Sequence, residues 1–390
     1  MNKKIILAAA LAMTLSGCGD TIDKSSEFEP ETTTVTAATT ADDETGAVTD
    51  QTDMVTEAPA TEVATTTTAQ TTVSSPTTTT LPAANETYEF VSGCILTNAG
   101  EDHMRALEEY YYLPDAGEYL AQNVDTFADS VGSGTKVYLM IIPSAEEFYV
   151  PEALRDDYAD QIESTKEVYS KLNTAQGVLV NEVMEQHKGE HLYSNTDFHW
   201  QPLGAFYAAG VFAEKAGVPY AGYDTYEKVE REGYLGAFYT VVGIDALAAT
   251  PETFTYYKPA NLDNITCYYN DTAFSGGVGG GAVGQLFYED CDISASYTVF
   301  VGTDNTILQI DTDVDNDRVL VIFKDSYGNA LVPFLTQSFS KIYLCDTRYF
   351  DINSVSFAQQ VGATDVLFAF GAPSSNNYDK SDLIRQNFSN

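Results

Sequence analysis

The sequence predicts a three-layer α/β fold with a mainly parallel sheet, preceded by a long disordered tether. Four short apolar segments indicate buried strands: "KVYLMIIP" (136–143), "RVLVIF" (318–323), "KIYLCD" (341–346) and "DVLFAFG" (365–371). Helical segments separate the last three, around 329–339 and 353–361. Strands that are apolar throughout are typical of a parallel sheet with helices on both faces. In such sheets, functional groups gather just beyond the carboxyl ends of the strands.

Three further segments are expected to alternate with these strands. Residues 151–174 are predicted to be helical, and 176–187 begins as a strand and continues as a polar helix. The clearest helix is "PLGAFYAAGVFAEKAG", in which Pro202 suits the first turn and Gly217 suits the end. Its predicted buried face consists of Leu203, Phe206, Tyr207, Gly210 and Val211.

The first residues, "MNKKIILAAALAMTLSGCGD", are typical of an export signal. Two lysines precede an apolar run of roughly a dozen residues, which is too short for a comfortable transmembrane helix. Small residues directly before Cys18 resemble the bacterial lipobox, in which the cysteine is lipidated and becomes the new N-terminus. We therefore expect a signal peptide at 1–17 and a lipid anchor on the outer face of a bacterial cell membrane. The alternative is an ordinary cleaved signal that happens to contain a cysteine.

Residues 18–85 are predicted to be the lipidated cysteine followed by a disordered linker. From 19 to 85 the chain is rich in Thr, Ala, Ser and Pro, with twelve acidic residues and one lysine. Apolar groups are too sparse to offset the entropy of ordering, and like charges extend such a chain. The folded domain is therefore placed at 86–390, which is long enough to bury a large core.

The net charge of the chain excludes some partners. The 57 acidic and 19 basic residues give a charge of −38, which repels nucleic acid and anionic lipid headgroups. "IDTDVDNDR" (310–318) is spaced like a calcium loop but lacks the glycine and the glutamate that such loops need, so a solvated loop is expected. No metal or organic cofactor is predicted. "SGGVGGGAVG" (275–284) lacks a phosphate-loop lysine and is interpreted as a mobile loop or lid.

The cysteines other than Cys18 show no zinc-site spacing. Cys267 and Cys291 flank the Gly-rich loop and suit a disulfide outside the cell. Free buried thiols at Cys94, Cys267, Cys291 and Cys345 are the other possibility.

Ser326 in "KDSYGNALVPF" is placed on a turn from strand to helix, where backbone N–H groups are unpaired. Those amides stabilise an oxyanion if Ser326 is a nucleophile, but a serine needs a base. "YSNTDFHWQPLGAF" (193–206) supplies a histidine with a neighbouring acid, His199 and Asp197. From the residues alone, Ser326 also suits a helix cap, and a lone D-x-H pair is often structural.

The two motifs together resemble the DHHW protein family, which is similar to the alginate O-acetyltransferase-like branch of SGNH hydrolases. The segments that carry the resemblance are "YSNTDFHWQPLGAFYA", "LVIFKDSYGNALVPFLTQSFSKIYLCDTRYF" and the earlier "YLMIIPSAEEFYVPE". The resemblance covers nearly all of 90–390 and implies an SGNH-like fold with Asp197, His199 and Ser326 as catalytic residues. The family is named for Asp-His-His-Trp, and this sequence has Phe198 in place of the first histidine. Any contact that this histidine makes is lost or moved here.

Four residues beside these motifs are weaker candidates for substrate binding: Trp200, Tyr327, Asn329 and Arg348. Asn329 suits either a helix cap or an oxyanion donor, and Arg348 suits either an anionic glycan or a pair with Asp346. Asp325 is expected to tie down the turn.

The resulting functional hypothesis is a surface lipoprotein that transfers or removes acetyl groups on an envelope or extracellular polysaccharide. His199 takes the proton of Ser326, and Asp197 orients His199. The acyl donor is not specified by the sequence. The alternatives are a non-catalytic glycan-binding or surface-display protein that keeps the fold, and an exported lipid or peptide esterase.

The lipobox-like segment predicts that Cys18→Ala releases the protein from the membrane, because the acyl chains supply the membrane affinity. Fractionation followed by immunoblotting of the membrane and soluble fractions measures this. If the variant stays in the membrane fraction as the unaltered protein does, Cys18 is not the anchor.

Overall fold

The computed structural model describes residues 87–389, so the predicted signal peptide, Cys18 and the whole predicted linker lie outside the described residues. The strands are β1 (Tyr88–Val91), β2 (Cys94–Thr97), β3 (Arg105–Glu108), β4 (Lys136–Ile142), β5 (Gln176–Gly177), β6 (Glu227–Tyr234), β7 (Glu252–Lys258), β8 (Thr266–Asn270), β9 (Ala282–Gly284), β10 (Ile307–Asp311), β11 (Val319–Lys324), β12 (Lys341–Asp346) and β13 (Asp365–Gly371). The helices are α1 (Pro114–Val131), α2 (Ala145–Tyr149), α3 (Gln161–Tyr169), α4 (Asn181–His187), α5 (Pro202–Ala216), α6 (Ala237–Thr240), α7 (Val332–Leu335), α8 (Ser354–Gln360), α9 (Ala372–Ser375) and α10 (Tyr378–Ser389). Short 3₁₀ helices include Glu152–Asp157, Ile293–Val299 and Ser326–Leu331.

The central sheet has eight strands in the order β5-β4-β13-β11-β12-β10-β8-β9. Its first five strands are parallel, and the last three are antiparallel. The four strands that the sequence predicted are the adjacent strands β4, β13, β11 and β12. The α/β fold with a mainly parallel sheet is therefore confirmed, whereas the antiparallel extension carries no strong apolar signal.

Both faces of the sheet are buried, as fully apolar strands require. On β11, Leu320 and Ile322 belong to one core cluster, and Val321 and Phe323 belong to the other. The first cluster includes the buried side chains of α5, and the second includes those of α1, α8 and α10. Side chains alternate between the faces of a strand, so each strand must be apolar at every position to bury both. The result is a helix–sheet–helix sandwich.

Two small antiparallel sheets, β1-β2-β3 and β6-β7, lie outside the central sheet. Both contact the loop that carries the D-x-H motif. The amide of Ala106 in β3 donates to the carbonyl of Asn195 at 3.0 Å, and Glu252 in β7 accepts from the Asn195 amide at 2.9 Å. The small sheets therefore hold the loop between residues 188 and 201 against the domain.

Helix α5 begins at Pro202 and ends before Gly217, whose φ of 72° places it in the left-handed region, as predicted. The predicted buried face is only partly right. Phe206 and Tyr207 are buried, but Leu203, Gly210 and Val211 are only half-buried. Small residues between them are fully buried because the helix packs both on the sheet and on the turn after β11.

The segment predicted to be helical at 151–174 is not one continuous helix. A 3₁₀ helix at Glu152–Asp157 and α3 replace it, separated by Asp160, whose side chain accepts a hydrogen bond from the Glu163 amide at 2.8 Å. Asp160 thereby caps a new helix, which outweighs the continuous polar pattern of the sequence.

The Gly-rich segment 275–284 does not form a lid over a cleft. Its last residues form β9, an edge strand paired with β8, and the Gly279 amide donates to Gln309 of β10 at 2.8 Å. Within residues 87–389, Cys94, Cys267, Cys291 and Cys345 are all free, so the disulfide between Cys267 and Cys291 is absent.

Residues 87–389 contain neither a candidate membrane-spanning helix nor a candidate metal site. No helix there is both long and apolar enough to cross a bilayer. No group of three or more His, Cys, Asp or Glu side chains is arranged to hold a metal ion in this part of the chain.

Because residues 87–389 bury their own cores, we predict that a chain starting at residue 86 folds independently. Its melting temperature is expected to lie within about 2 °C of that of the mature chain, which is roughly the shift that 1 kcal/mol produces in a domain of this size. Differential scanning calorimetry of both chains measures this. A melting temperature lower by many degrees would mean that residues before 86 pack on the domain.

Candidate active site

A cleft lies at the carboxyl ends of the parallel strands. β11 leads to Ser326, β12 leads to Thr347 and Arg348, and β13 ends at Gly371, and all four residues line the cleft. This is the edge at which open parallel sheets place their functional groups.

The turn that carries Ser326 is fixed by the residue before it. The Asp325 carboxylate accepts hydrogen bonds from the amides of Tyr327 at 3.0 Å and Gly371 at 2.9 Å. The Gly328 amide donates to the Asp325 carbonyl at 3.0 Å. Burial raises the pKa of Asp325 above its usual value. Asp325 therefore ties down the turn, as the sequence predicted, and it also caps the 3₁₀ helix and links β11 to β13.

Ser326, His199 and Asp197 form one hydrogen-bonded chain. The Ser326 Oγ lies 2.8 Å from His199 Nε2, and His199 Nδ1 lies 2.7 Å from Asp197 Oδ1. The backbone amide of His199 also donates to Asp197 Oδ1, at 2.9 Å. The fold thus brings together three predicted residues that span about 130 positions of sequence. Asp197 and His199 are buried, whereas Ser326 is half-buried and faces the cleft.

The second oxygen of Asp197 is also satisfied. Oδ2 accepts from the Tyr234 hydroxyl at 2.8 Å and from the Ala237 amide at 2.7 Å. Burial alone would raise the pKa of Asp197, but the His199 charge and these hydrogen bonds outweigh it and lower the pKa to about 2. Gly236 is required here, because a Cβ at this position would lie 2.3 Å from the Cβ of Asp197.

The D-x-H loop is held by a buried glutamate that sequence reasoning missed. Glu252 accepts from the amides of Asn195 and Thr196, from the Ser194 and Thr196 hydroxyls, and from the His191 ring at 3.0 Å. A single carboxylate thereby fixes the backbone that leads to Asp197.

Tyr297 supports both His199 and Ser326. Its ring stacks on the imidazole with the centroids 3.8 Å apart and the planes 10° from parallel. Its hydroxyl lies 3.1 Å from the carbonyls of both Ser326 and Tyr327. The tyrosine therefore restricts the rotation of the histidine ring and the position of the serine turn together.

Two of the weaker sequence candidates do not lie in the cleft. Trp200 is fully buried, and its indole N–H points at the Tyr297 hydroxyl and the Tyr327 carbonyl, at 3.1 and 3.2 Å. Asn329 lies inside the 3₁₀ helix that Asp325 caps, and its amide donates to Asp304 at 2.9 Å. Trp200 thus braces the site from beneath, and Asn329 is neither the helix cap nor placed as an oxyanion donor.

Tyr327 and Arg348 do line the cleft, but their polar groups are engaged. The Tyr327 hydroxyl donates to the Phe198 carbonyl. The Arg348 guanidinium binds Asp346 at 2.6 Å and Asp304 at 2.8 Å. Of the two alternatives for Arg348, the pair with Asp346 is present. Its position at the cleft also leaves it able to contact a ligand.

Phe198, the residue in place of the family histidine, forms part of the cleft wall. Its ring lies 4.3 Å from the His199 ring, centroid to centroid, at an angle of 42°. An apolar ring at this position shields the histidine from water on the cleft side.

Two ionisable residues of the cleft were missed by sequence reasoning, Glu108 at the end of β3 and Lys380 in α10. Neither side chain has a hydrogen-bond or ion-pair partner among the described residues. Burial raises the pKa of Glu108 to about 8, and the negative charges of Asp197 and Asp325 add to the effect. No local motif marks either residue, because each reaches the cleft only through the tertiary fold.

The chain matches known proteins over most of its length. A family model described as DHHW protein matches residues 74–345. A crystal structure of a DHHW family protein from Eubacterium siraeum is 33% identical, covers 78% of this chain and 99% of that chain, and superimposes with a TM-score of 0.71. None of the curated proteins compared matches the sequence.

Two more distant structures also match, of which only the first superimposes with a TM-score above 0.5. Bacillus cereus PatB1 with a sulfonyl adduct is 18% identical, with 77% of this chain and 99% of that chain covered and a TM-score of 0.59. The O-acetyltransferase domain of Pseudomonas putida AlgJ is 15% identical, with 75% and 96% covered and a TM-score of 0.40.

The raised pKa of Glu108 predicts a pH-dependent effect on stability. The stabilisation that protonated Glu108 gives to the folded state is fully present below its usual pKa of 4.5. It is lost as the pH rises through about 8, because the folded protein must then bury a charge. Glu108→Gln is therefore expected to raise the melting temperature at pH 9 by about 2 °C, which corresponds to roughly 1 kcal/mol, and to change it little near pH 5.

Thermal unfolding of both proteins from pH 5 to pH 9 measures this, with Glu89→Gln, an exposed position on β1, as the control. An effect of Glu108→Gln that is the same at both ends of the pH range would contradict a raised pKa.

Proposed function

This chain belongs to the DHHW protein family, and from that premise we propose that it is a serine-dependent enzyme that transfers or removes acetyl groups on a polysaccharide. The observation that carries the proposal is the hydrogen-bonded chain from Ser326 through His199 to Asp197 at an open cleft. A helix cap or a structural D-x-H pair does not need a serine hydroxyl 2.8 Å from the imidazole.

In the first half of the proposed reaction, Ser326 Oγ attacks the carbonyl carbon of an acetyl ester. His199 Nε2 takes the serine proton and then gives it to the departing oxygen, so the acetyl group becomes bonded to Ser326. In the second half, water or a sugar hydroxyl attacks this ester and gives its proton to His199. The bond between the acetyl group and Ser326 Oγ then breaks, and His199 passes the proton to Ser326 Oγ. Esterase and transferase differ only in which nucleophile completes the second half.

The surroundings suit these steps. Asp197 keeps its charge at every working pH, because its pKa is about 2, and that charge stabilises the histidine cation. Tyr327 and Gly328 use their amides on Asp325, which leaves the Ser326 amide to stabilise the oxyanion. Phe198 and the stacked Tyr297 keep water away from His199 on two sides.

The acetyl group and the polysaccharide are proposed from the family resemblance. The AlgJ domain is described as an O-acetyltransferase, and the PatB1 structure holds a sulfonyl adduct. That adduct supports the use of a sulfonyl fluoride as a probe of this site. The proposed setting is the outer face of a bacterial membrane, with Cys18 lipidated and 19–85 as the spacer. No metal or organic cofactor has a part in the proposed chemistry.

We predict that Ser326→Ala and His199→Ala each lower acetate release from an acetylated xylan by at least about 10³-fold, because the nucleophile and its base act as one unit. The double variant is expected to be little worse than either single variant. Asp197→Asn is expected to lose a comparable factor, since the imidazole loses its orienting anion. Acetate release and circular dichroism of each variant measure activity and folding.

The controls are Ser356→Ala on the exposed face of α8 and His103→Ala, both outside the cleft. Intact-mass analysis after a sulfonyl fluoride is expected to show one adduct, and Ser326→Ala is expected to remove it. Full activity in Ser326→Ala would refute the proposed nucleophile. Absence of both an adduct and acetate release in the unaltered protein would instead favour a non-catalytic glycan-binding role.

A further inference from the structure

The ammonium group of Lys380 is unusual among the basic groups of residues 87–389. Most of the others form ion pairs, as Lys166, Lys324, Arg318 and Arg348 do. Lys136 and Lys215 lack partners among the described residues but are exposed to solvent. Lys380 is half-buried, lines the cleft beside Ser326, and has no hydrogen-bond or ion-pair partner among the described residues. A partly desolvated cation without a partner is costly, so it needs an explanation.

Three of the carboxylates near Lys380 are already committed. Asp346 and Asp304 bind Lys324 and Arg348, and Asp325 accepts from two backbone amides. Two others, Glu108 in the cleft and the exposed Asp379, do not approach Lys380 within ion-pair distance. The protein thus offers a positive charge to the cleft without an ion-paired anion among the described residues to neutralise it.

We propose that Lys380 binds a carboxylate of the polysaccharide, so that the substrate is an acidic glycan whose charged group lies close to the acetylated hydroxyl. The proposal rests on the proposed function, because the same cleft must present the acetyl ester to Ser326. Beyond the proposed function, it specifies that the substrate is negatively charged and that Lys380 determines this specificity.

The net charge of the chain opposes the binding of an acidic glycan. With a charge of −38, the chain repels an anionic polymer that comes within roughly a Debye length, about 8–10 Å, because salt screens the repulsion only at larger separations. Binding of such a polymer needs a local cation that is not neutralised by its neighbours. A neutral glycan would instead leave the ammonium unpaired in the complex as well. Burial lowers the pKa of Lys380, and the positive charge of nearby Arg348 lowers it further. A bound anion favours the charged form of Lys380 and so raises this pKa toward its usual value.

Arg348 and Lys380 differ in whether their charged groups are already bound by carboxylates of the protein. Arg348 is held by two carboxylates, which fix its guanidinium in the cleft wall. Lys380 projects from the first turns of α10, and its flexible stem lets the ammonium follow a ligand. Lys380 is therefore the residue that a substrate carboxylate pairs with directly.

The test uses two substrates that differ only in charge, O-acetylated oligogalacturonate and its fully methyl-esterified form. Acetate release gives kcat/KM for each, and the ratio of the two values isolates recognition of the carboxylate. For the unaltered protein, the ratio is expected to exceed about tenfold in favour of the free acid, the effect of one charge-assisted hydrogen bond. Lys380→Gln is expected to bring the ratio close to 1, mainly through KM, and Lys380→Arg is expected to keep most of it.

The matched control is Lys215→Gln, which removes an unpaired but exposed lysine outside the cleft and is expected to leave the ratio unchanged. A second readout does not depend on turnover. Ser326→Ala is titrated calorimetrically with trigalacturonate, with its methyl ester, and with inorganic phosphate as competitor. Binding of trigalacturonate that is lost with Lys380→Gln supports the proposal. Binding of phosphate alone would assign the cation to a phosphorylated acyl donor and overturn the proposal for the glycan.

The two proposals fail in different ways. If the unaltered protein releases acetate from neither substrate and Ser326 takes no sulfonyl group, the proposed function fails. If acetate release is normal but Lys380→Gln keeps the ratio of the unaltered protein, only the role of Lys380 fails.

Discussion

The buried carboxylate of Asp197 is the constraint on which the site depends. It accepts four hydrogen bonds, two from His199, one from the Tyr234 hydroxyl and one from the Ala237 amide. These donors come from the D-x-H loop, the end of β6 and the start of α6. A buried charge that loses its partners costs about 3–5 kcal/mol, so the three segments must assemble together. The same contacts that satisfy the charge thereby orient the imidazole.

A second set of charges fixes the other half of the site. Lys324 ends β11 with its ammonium buried between Asp304 at 2.5 Å and Asp346 at 2.8 Å, and Arg348 binds the same two carboxylates. Burial alone would lower the pKa of Lys324, but the two anions outweigh it and raise the pKa. The network locks the ends of β11 and β12 in register beside Ser326. Since both cations are consumed in this structural role, recognition of a substrate anion passes to Lys380.

The sheet and the Ser326–His199–Asp197 set follow from the sequence because their signals are local. Continuous apolar segments identify β4, β11, β12 and β13, and two short motifs carry the three polar residues. Adjacency to His199 in sequence does not determine the side of the backbone on which the Trp200 indole packs. The sequence alone therefore could not show that Trp200 lies beneath the cleft. Glu108, Glu252, Tyr297 and Lys380 have no local signal at all. Each belongs to a segment whose path is set by tertiary contacts, and only the fold brings them to the site.

Phe198 shows how the cleft can depart from the family pattern without losing the hydrogen-bonded chain. The interaction that this position supplies to the fold is its backbone carbonyl, which accepts from the Tyr327 hydroxyl, and any residue supplies that. Its side chain packs on Phe238 in the core, and it gives the cleft an apolar wall instead of a titratable one. With the family histidine gone, the acidic and basic side chains of the cleft are Glu108, Asp325, Arg348 and Lys380. Asp325 is committed to backbone amides and Arg348 to carboxylates, so the carboxyl of Glu108 and the ammonium of Lys380 are the titratable groups of the cleft left to contact a ligand.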